Sequence, residues 1–197
     1  MPLARYLTHP QVIVDPDVPV PDWHLNPVGA ARVRAVAASG GLAGTVRVFS
    51  SAEVKAVETA TPLADALGCP LTIREAMHEN DRSATGFLPP DAFEAMADRF
   101  FARPGQSAEG WERARDAQAR IVAEVEVALE DHGAGDVLFV GHGGVGTLLY
   151  CALAALPISR DHDQGPGGGG NFFAFDLADR RPQALWQPME ALRASAP

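Results

Sequence analysis

Cysteine is nearly absent: the 197 residues hold only Cys69 and Cys151, far apart and outside any Cys-x-x-Cys or Cys/His spacing that would mark a zinc site. Both read as small buried side chains of a protein kept in a reducing compartment. Long apolar runs are also missing, and Met1 to Arg5 leads into a strand-like segment without the apolar core of a signal peptide. That excludes a membrane span and makes the cytoplasm the expected location. Positive charge is in deficit, with 16 Lys plus Arg against 25 Asp plus Glu and a formal net charge of -9. A nucleic-acid binder needs a basic surface to displace counterions from phosphates, so that class is excluded, and any anionic ligand must be held by a local positive pocket. Internal repeats are absent. No set of carboxylates has magnesium-like spacing, and neither a metal nor another cofactor is expected.

What remains is ordinary for a globular chain, 47% hydrophobic and 21% charged, with a length that fits one domain over residues 1–197. Arg5 to His9 reads as a short strand stopped by Pro10. The proline- and aspartate-rich stretch from Val14 to Pro27 is an ordered loop. Asn26-Pro27 starts a helix that ends at Gly40-Gly41. Thr45 to Phe49 is a β-branched strand leading into Ser50-Ser51-Ala52-Glu53, read as the capping box of a helix that Gly68 stops after Leu67.

A short strand at Leu71 to Ile73 precedes a polar insertion, part loop and part helix, at about residues 74–110, with the helix near Asp91 to Phe101. Insertions of this kind above a sheet commonly carry specificity. Ser107 to His132 reads as one long amphipathic helix, with Ile121, Val122, Val125 and Leu129 on its buried face. Asp136 to Val140 has the continuous apolar character of a strand buried on both faces. Gly141-His142-Gly143-Gly144 follows it, and then an apolar helix from Val145 to Leu156. Gly165 to Gly170 is a flexible tract, and Asn171 to Asp176 with Ala184 to Trp186 close the chain as strands.

Strands alternating with helices predict a three-layer α/β/α sandwich around a mostly parallel central sheet, whose ligands bind beyond the carboxyl ends of the strands. Three polar clusters fall at such ends: His9, Ser50-Ser51 and His142.

At these residues the sequence resembles the histidine phosphatase superfamily, the phosphoglycerate mutase-like proteins, in which one strand ends in Arg-His-Gly and a later one in Ser-His-Gly. Here those stretches are Thr8-His9-Pro10 and Gly141-His142-Gly143. Phe49-Ser50-Ser51 through Lys55 to Glu58-Thr59-Ala60 resembles the family's Tyr-Ser-Ser, Arg, Gln-Thr-Ala segment. Met77-His78-Glu79-Asn80 resembles the segment that delivers its catalytic acid. Two departures stand out: Thr8 replaces the family's first phosphate-binding arginine, and Pro10 replaces its glycine.

The resemblance implies a phosphomonoester hydrolase acting without metal through a phosphohistidine on His9. Glu79 would be the acid and then the base, with Glu75 as second choice, and His142 would hold the phosphoryl group. Thr8, Ser51, Lys55 and Gly143 are the implied phosphate-binding groups. Arg82, in the insertion, is the cation placed to compensate for Thr8.

A transferring phosphoryl group needs preorganised donors around its oxygens, and a histidine nucleophile must be neutral at the attacking nitrogen. The implied substrate is a small phosphorylated molecule, and a homodimer is compatible with such a chain. Two alternatives stay open: mutase-type phosphoryl transfer, and a phosphate-ligand binding or regulatory protein whose catalysis is weakened by the loss of arginine at position 8.

Overall fold

A computed structural model describes residues 2–130 and 132–194. The chain runs through β1 (Leu3–Thr8), α1 (Pro27–Ser39), β2 (Thr45–Ser51), α2 (Val54–Leu67), β3 (Leu71–Arg74), α3 (Pro90–Ala102), α4 (Ala114–Glu130), β4 (Asp136–Gly141), α5 (Gly143–Leu153), β5 (Asn171–Asp176) and the short β6 (Gln187–Pro188). The six strands form one sheet in the order β3-β2-β4-β1-β5-β6. The first four in that order are mutually parallel, and β5 and β6 are antiparallel additions at one side. The three-layer, mostly parallel expectation therefore holds.

Each face of the sheet buries its own core. On one side Phe49, Phe139 and Phe175 meet Phe100, Ile121 and Leu148 from the helices α3, α4 and α5. On the other, Val48, Leu138 and Val140 meet Val33 and Leu63 from α1 and α2. Central β4 supplies residues to both, which is why Val137 through Val140 are all apolar and fully buried. Truncating one of these phenylalanines to alanine typically costs about 3–5 kcal/mol.

Helix boundaries follow the local chemistry. Asn26 caps α1 by accepting from the Gly29 amide, with Pro27 in the first turn, while Gly40 and Gly68 end α1 and α2 in the left-handed conformation. Because β1, β2 and β4 are parallel, Thr8, Ser51 and Gly141 arrive together at one sheet edge. His9 and His142 follow directly.

Three boundaries depart from expectation. The long helix over Ser107 to His132 is described only as Ala114–Glu130. Its first part is irregular because Glu109 and Gly110 both take positive φ, 48° and 89°. The Ser50–Glu53 capping box does not form: β2 runs on through Ser51 and Glu53 is the N-cap, without a side-chain cap. The final strand lies at Gln187–Pro188 instead of Ala184 to Trp186. Trp186 turns inward, its ring 4.8 Å from Phe173 and its indole N–H donating to the His162 carbonyl.

Candidate active site

The two histidines face each other, with ring centroids 5.3 Å apart at 67°. His9 Nδ1 is 2.9 Å from the Pro10 carbonyl oxygen. A carbonyl only accepts, so Nδ1 carries the hydrogen and Nε2 is left as the lone-pair nitrogen. Burial pulls His9 down to about 4 against the opposing effect of that hydrogen bond, and it pulls His142 to about 4 despite the carboxylates of Glu53 and Glu79. Both imidazoles are therefore neutral near pH 7.

His142 is fully buried, and its position is built by three neighbours. Tyr6 Oη donates to the His142 carbonyl at 3.2 Å and accepts from its amide at 3.1 Å, which locks the turn from β4 into α5. A Cβ at Gly141 would lie 2.3 Å from that phenol oxygen, so the residue before the histidine must be glycine. His142 Nε2 is 2.8 Å from Ser51 Oγ and 3.4 Å from Glu53 Oε1. A carboxylate cannot donate, so Nε2 carries the hydrogen and the Nδ1 lone pair is left, buried and unpartnered.

Glu53 is the residue that the sequence did not reveal. Its carboxylate also pairs with Lys55 Nζ and accepts from the Glu79 amide at 2.8 Å. Burial alone would raise its carboxyl, but His142 and Lys55 beside it hold it well below the usual carboxylate range. The sequence reads Glu53 as part of a capping box and Lys55 as a phosphate-binding group, and it is the run of β2 through Ser51 that turns the two towards each other.

Lys55 and Ser51 are consequently not where the resemblance put them. Lys55 is buried, with Nζ on Glu53 and 2.8 Å from the Val20 carbonyl. It holds the loop and the carboxylate and does not line the cavity beside His9. Ser51 spends its hydroxyl on His142 and on the Glu53 amide. Neither side chain lines the His9 cavity.

Thr8 is likewise buried and turned away from the cavity. Its hydroxyl donates to Gln164 Oε1 at 2.7 Å and accepts from the Asn171 amide at 3.1 Å. Asn171 Nδ2 also donates to Gln164 Oε1, at 3.3 Å. The Gln164 amide is thus fixed with its NH2 towards Gly143, where an added Cβ would lie 2.3 Å from Nε2. Gln164 was missed because it sits in a loop far from every motif.

A cavity of about 430 Å³ contains His9, Glu79, Asn80, Arg82, Gly143 and Gln164. Gly143 opens α5, and its amide has no acceptor among the described residues, as suits an anion at a helix amino end. Arg82 stacks over Phe93 at 4.9 Å and makes no ion pair among the described residues. Glu79 accepts from the amides of Gly144 at 3.0 Å, Val145 at 2.9 Å and Asn80 at 3.0 Å. Glu75 lies outside this cavity, in the neighbouring cleft of about 690 Å³.

A family model described as histidine phosphatase superfamily (branch 1) matches residues 18–168, well over half of the chain. The chain belongs to that superfamily. His9 stands just before the matched span. The superfamily fold is also seen in YhfR of Bacillus stearothermophilus, at a TM-score of 0.75 and 19% identity over 93% of this chain and 95% of that one. A mycobacterial glucosyl-3-phosphoglycerate phosphatase solved with inorganic phosphate matches at a TM-score of 0.72 and 22% identity, over 95% of both chains. Phosphoserine phosphatase of Entamoeba histolytica, solved with 3-phosphoglyceric acid, matches at a TM-score of 0.75 and 13% identity over 95% of this chain and 98% of that one. At these identities the likeness is one of fold. No curated protein matches the sequence significantly, and among the described residues no helix is long and apolar enough to cross a membrane.

Proposed function

We propose that this superfamily member hydrolyses phosphomonoesters through a phosphohistidine on His9, without a metal ion. The observation that carries the reading is the pinned ring of His9. Its Nδ1 is committed to the Pro10 carbonyl, its Nε2 lone pair is free, and its neighbour His142 is neutral beside it.

In the first step His9 Nε2 attacks phosphorus, the phosphorus–oxygen bond to the alcohol breaks, and Glu79 in its protonated form delivers a proton to the departing oxygen. In the second step water attacks phosphorus as Glu79 takes its proton, the phosphorus–Nε2 bond breaks, and inorganic phosphate leaves a restored His9. The oxygens of the transferring group are met by Arg82, by the Gly143 amide and by the Gln164 NH2, three donors assembled in the same cavity. Arg82 and Gln164 together take the place of the arginine that Thr8 lacks. Two free cysteines fit the reducing cytoplasm as the setting.

A second reading, a phosphate-ligand binding protein, is favoured by one observation: Thr8, Ser51 and Lys55 are all turned away from the cavity. Phosphate release from an aryl phosphate in the presence of chelator separates the two. Turnover in the parent that vanishes in His9→Ala supports the hydrolase; phosphate binding without release of any ester supports the binding protein.

A further inference from the structure

Glu79 lies in an irregular stretch between a single helical turn at Glu75–Met77 and the start of α3 at Pro90. Irregular backbone holds a side chain in place only where its own polar groups are tied down. Arg120, on α4, does the tying. Its Nη1 donates to the carbonyls of Ala76 at 2.8 Å and His78 at 2.9 Å, and its Nη2 to that of Glu79 at 3.4 Å. Nε and Nη2 also donate to the two carboxylate oxygens of Glu112, at 3.0 Å and 2.7 Å. Those are five hydrogen bonds, one for each N–H of a guanidinium, in a side chain only 18% exposed.

Glu112 closes the other side. Its backbone N–H donates to the Asp81 carbonyl at 2.7 Å, and its carboxylate accepts from the Asp81 amide at 3.1 Å. In a continuous helix Glu112 and Arg120 would stand about 12 Å apart along the axis, at roughly 1.5 Å per residue. The irregular backbone at Glu109 and Gly110, and the start of α4 only at Ala114, let Glu112 turn back onto the guanidinium. The chain is thus held at His78, at Glu79 and at Asp81 by one ion pair that borders neither the His9 cavity nor the cleft beside it. The carboxylate so aimed lies in the His9 cavity, on the amides of Gly144 and Val145.

We propose, resting on the hydrolase reading above, that Arg120 and Glu112 are positioning residues for proton transfer by Glu79. They hold the backbone at residues 78–81 so that the Glu79 carboxyl group stays where the alcohol oxygen departs. Lysine at position 120 keeps the charge but concentrates its donors at one point, and it cannot serve the carbonyls and both Glu112 oxygens at once.

The test uses one ester that needs the proton and one that does not. Phenyl phosphate releases a basic phenolate, and dinitrophenyl phosphate releases a phenolate that is stable without protonation. kcat/KM for both is measured in the full chain and in its Arg120→Lys, Glu112→Gln and Glu79→Gln variants. Arg120→Lys is expected to lose about tenfold on phenyl phosphate, part of the roughly 100–10,000-fold that general acid–base catalysis supplies, and severalfold less on dinitrophenyl phosphate, as Glu79→Gln does. A packing defect lowers both esters alike. An equal loss, or none, in a folded Arg120→Lys beside a selective Glu79→Gln therefore overturns the proposal. A Glu79→Gln loss that ignores the leaving group defeats the acid role and the positioning with it. Glu112→Gln, the milder change, is judged by the same criterion where Arg120→Lys does not fold.

Inertness of the parent towards every ester defeats the hydrolase reading, and a measurement free of turnover then decides whether the pair places Glu79. The Gly144 and Val145 amides donate to Glu79, so their native-state hydrogen exchange reports where that carboxylate stands. In Arg120→Lys it should quicken severalfold at these two amides while those of α1 keep their rate. Unchanged exchange at both overturns the proposal.

Discussion

Thr8 donates its hydroxyl to Gln164 Oε1 at 2.7 Å, and this contact joins the strand that leads into His9 to a loop that lines the cavity. The side chain at position 8 thus fixes which end of the Gln164 amide faces Gly143. Gln164→Ala should lower kcat/KM on an aryl phosphate by about 10–100-fold, less than the roughly 100–1000-fold typical for losing one preorganised donor, because this amide is only partly buried. Steady-state kinetics check it, and an unchanged kcat/KM would remove Gln164 from the site.

The pH dependence follows from burial of the two histidines. His9, depressed to about 4, stays neutral well below the ordinary imidazole value near 6.5. The acid limb of kcat/KM on a neutral leaving group is therefore expected near pH 4, not near 6.5, and a buffered rate profile on protein shown to be folded locates it.

Stability carries the same signature with a definite sign. His142 is depressed in the folded chain, so the unfolded chain binds more protons between its own pKa and the folded one. Its contribution is fully present above about 6.5 and is lost as pH falls towards about 4. Denaturant midpoints measured at pH 7, 6, 5 and 4.5 should decline in that order, and the decline should be shallower in His142→Gln.

Tyr6 offers a conservative cut. Tyr6→Phe removes the oxygen that bonds both the carbonyl and the amide of His142 and leaves the buried amide unpaired, a cost of about 1–3 kcal/mol. Chemical denaturation reads the loss. Activity should fall as well, since the turn that presents His142 and Gly143 relaxes.

Glu53 is a positioning residue, and its removal separates that role from simple packing. Glu53→Gln keeps the shape but can donate to His142 Nε2 as well as accept, so the hydrogen on that nitrogen is no longer dictated. A drop in kcat of about tenfold or more, with an altered pH profile, is expected, and an imidazole nitrogen-15 spectrum should show a changed tautomer mixture for His142. A variant with parental kcat and an unchanged spectrum would reduce Glu53 to a structural ion pair with Lys55.

Much of this arrangement was legible in the residue order. Strand ends at His9 and His142, the glycine stops at Gly40 and Gly68, and the doubly buried run Val137 to Val140 all follow from local rules, and parallel topology then brings the histidines together. Arg82 lies in the His9 cavity.

Hidden from the sequence were contacts decided by a shift of a few residues or by a loop. Two more residues of β2 pairing with β3 at Ile73 and Arg74 moved the helix start to Val54, turned Ser51 towards His142 and brought Glu53 inside. Gln164 is set by Thr8 and Asn171, residues distant in sequence. Positive φ at Glu109 and Gly110 broke a helix whose apolar spacing was sound, and a Cβ at Gly110 would press on Ala84 at 2.7 Å.

The most direct test of the account is chemical trapping. The parent and its His9→Ala variant are mixed with a labelled phosphomonoester in chelator, quenched within one turnover and analysed for protein-bound phosphate. Acid-labile label on His9 in the parent, absent with turnover from a folded His9→Ala variant, is the predicted result. Phosphate release by the variant at the parental rate would contradict it.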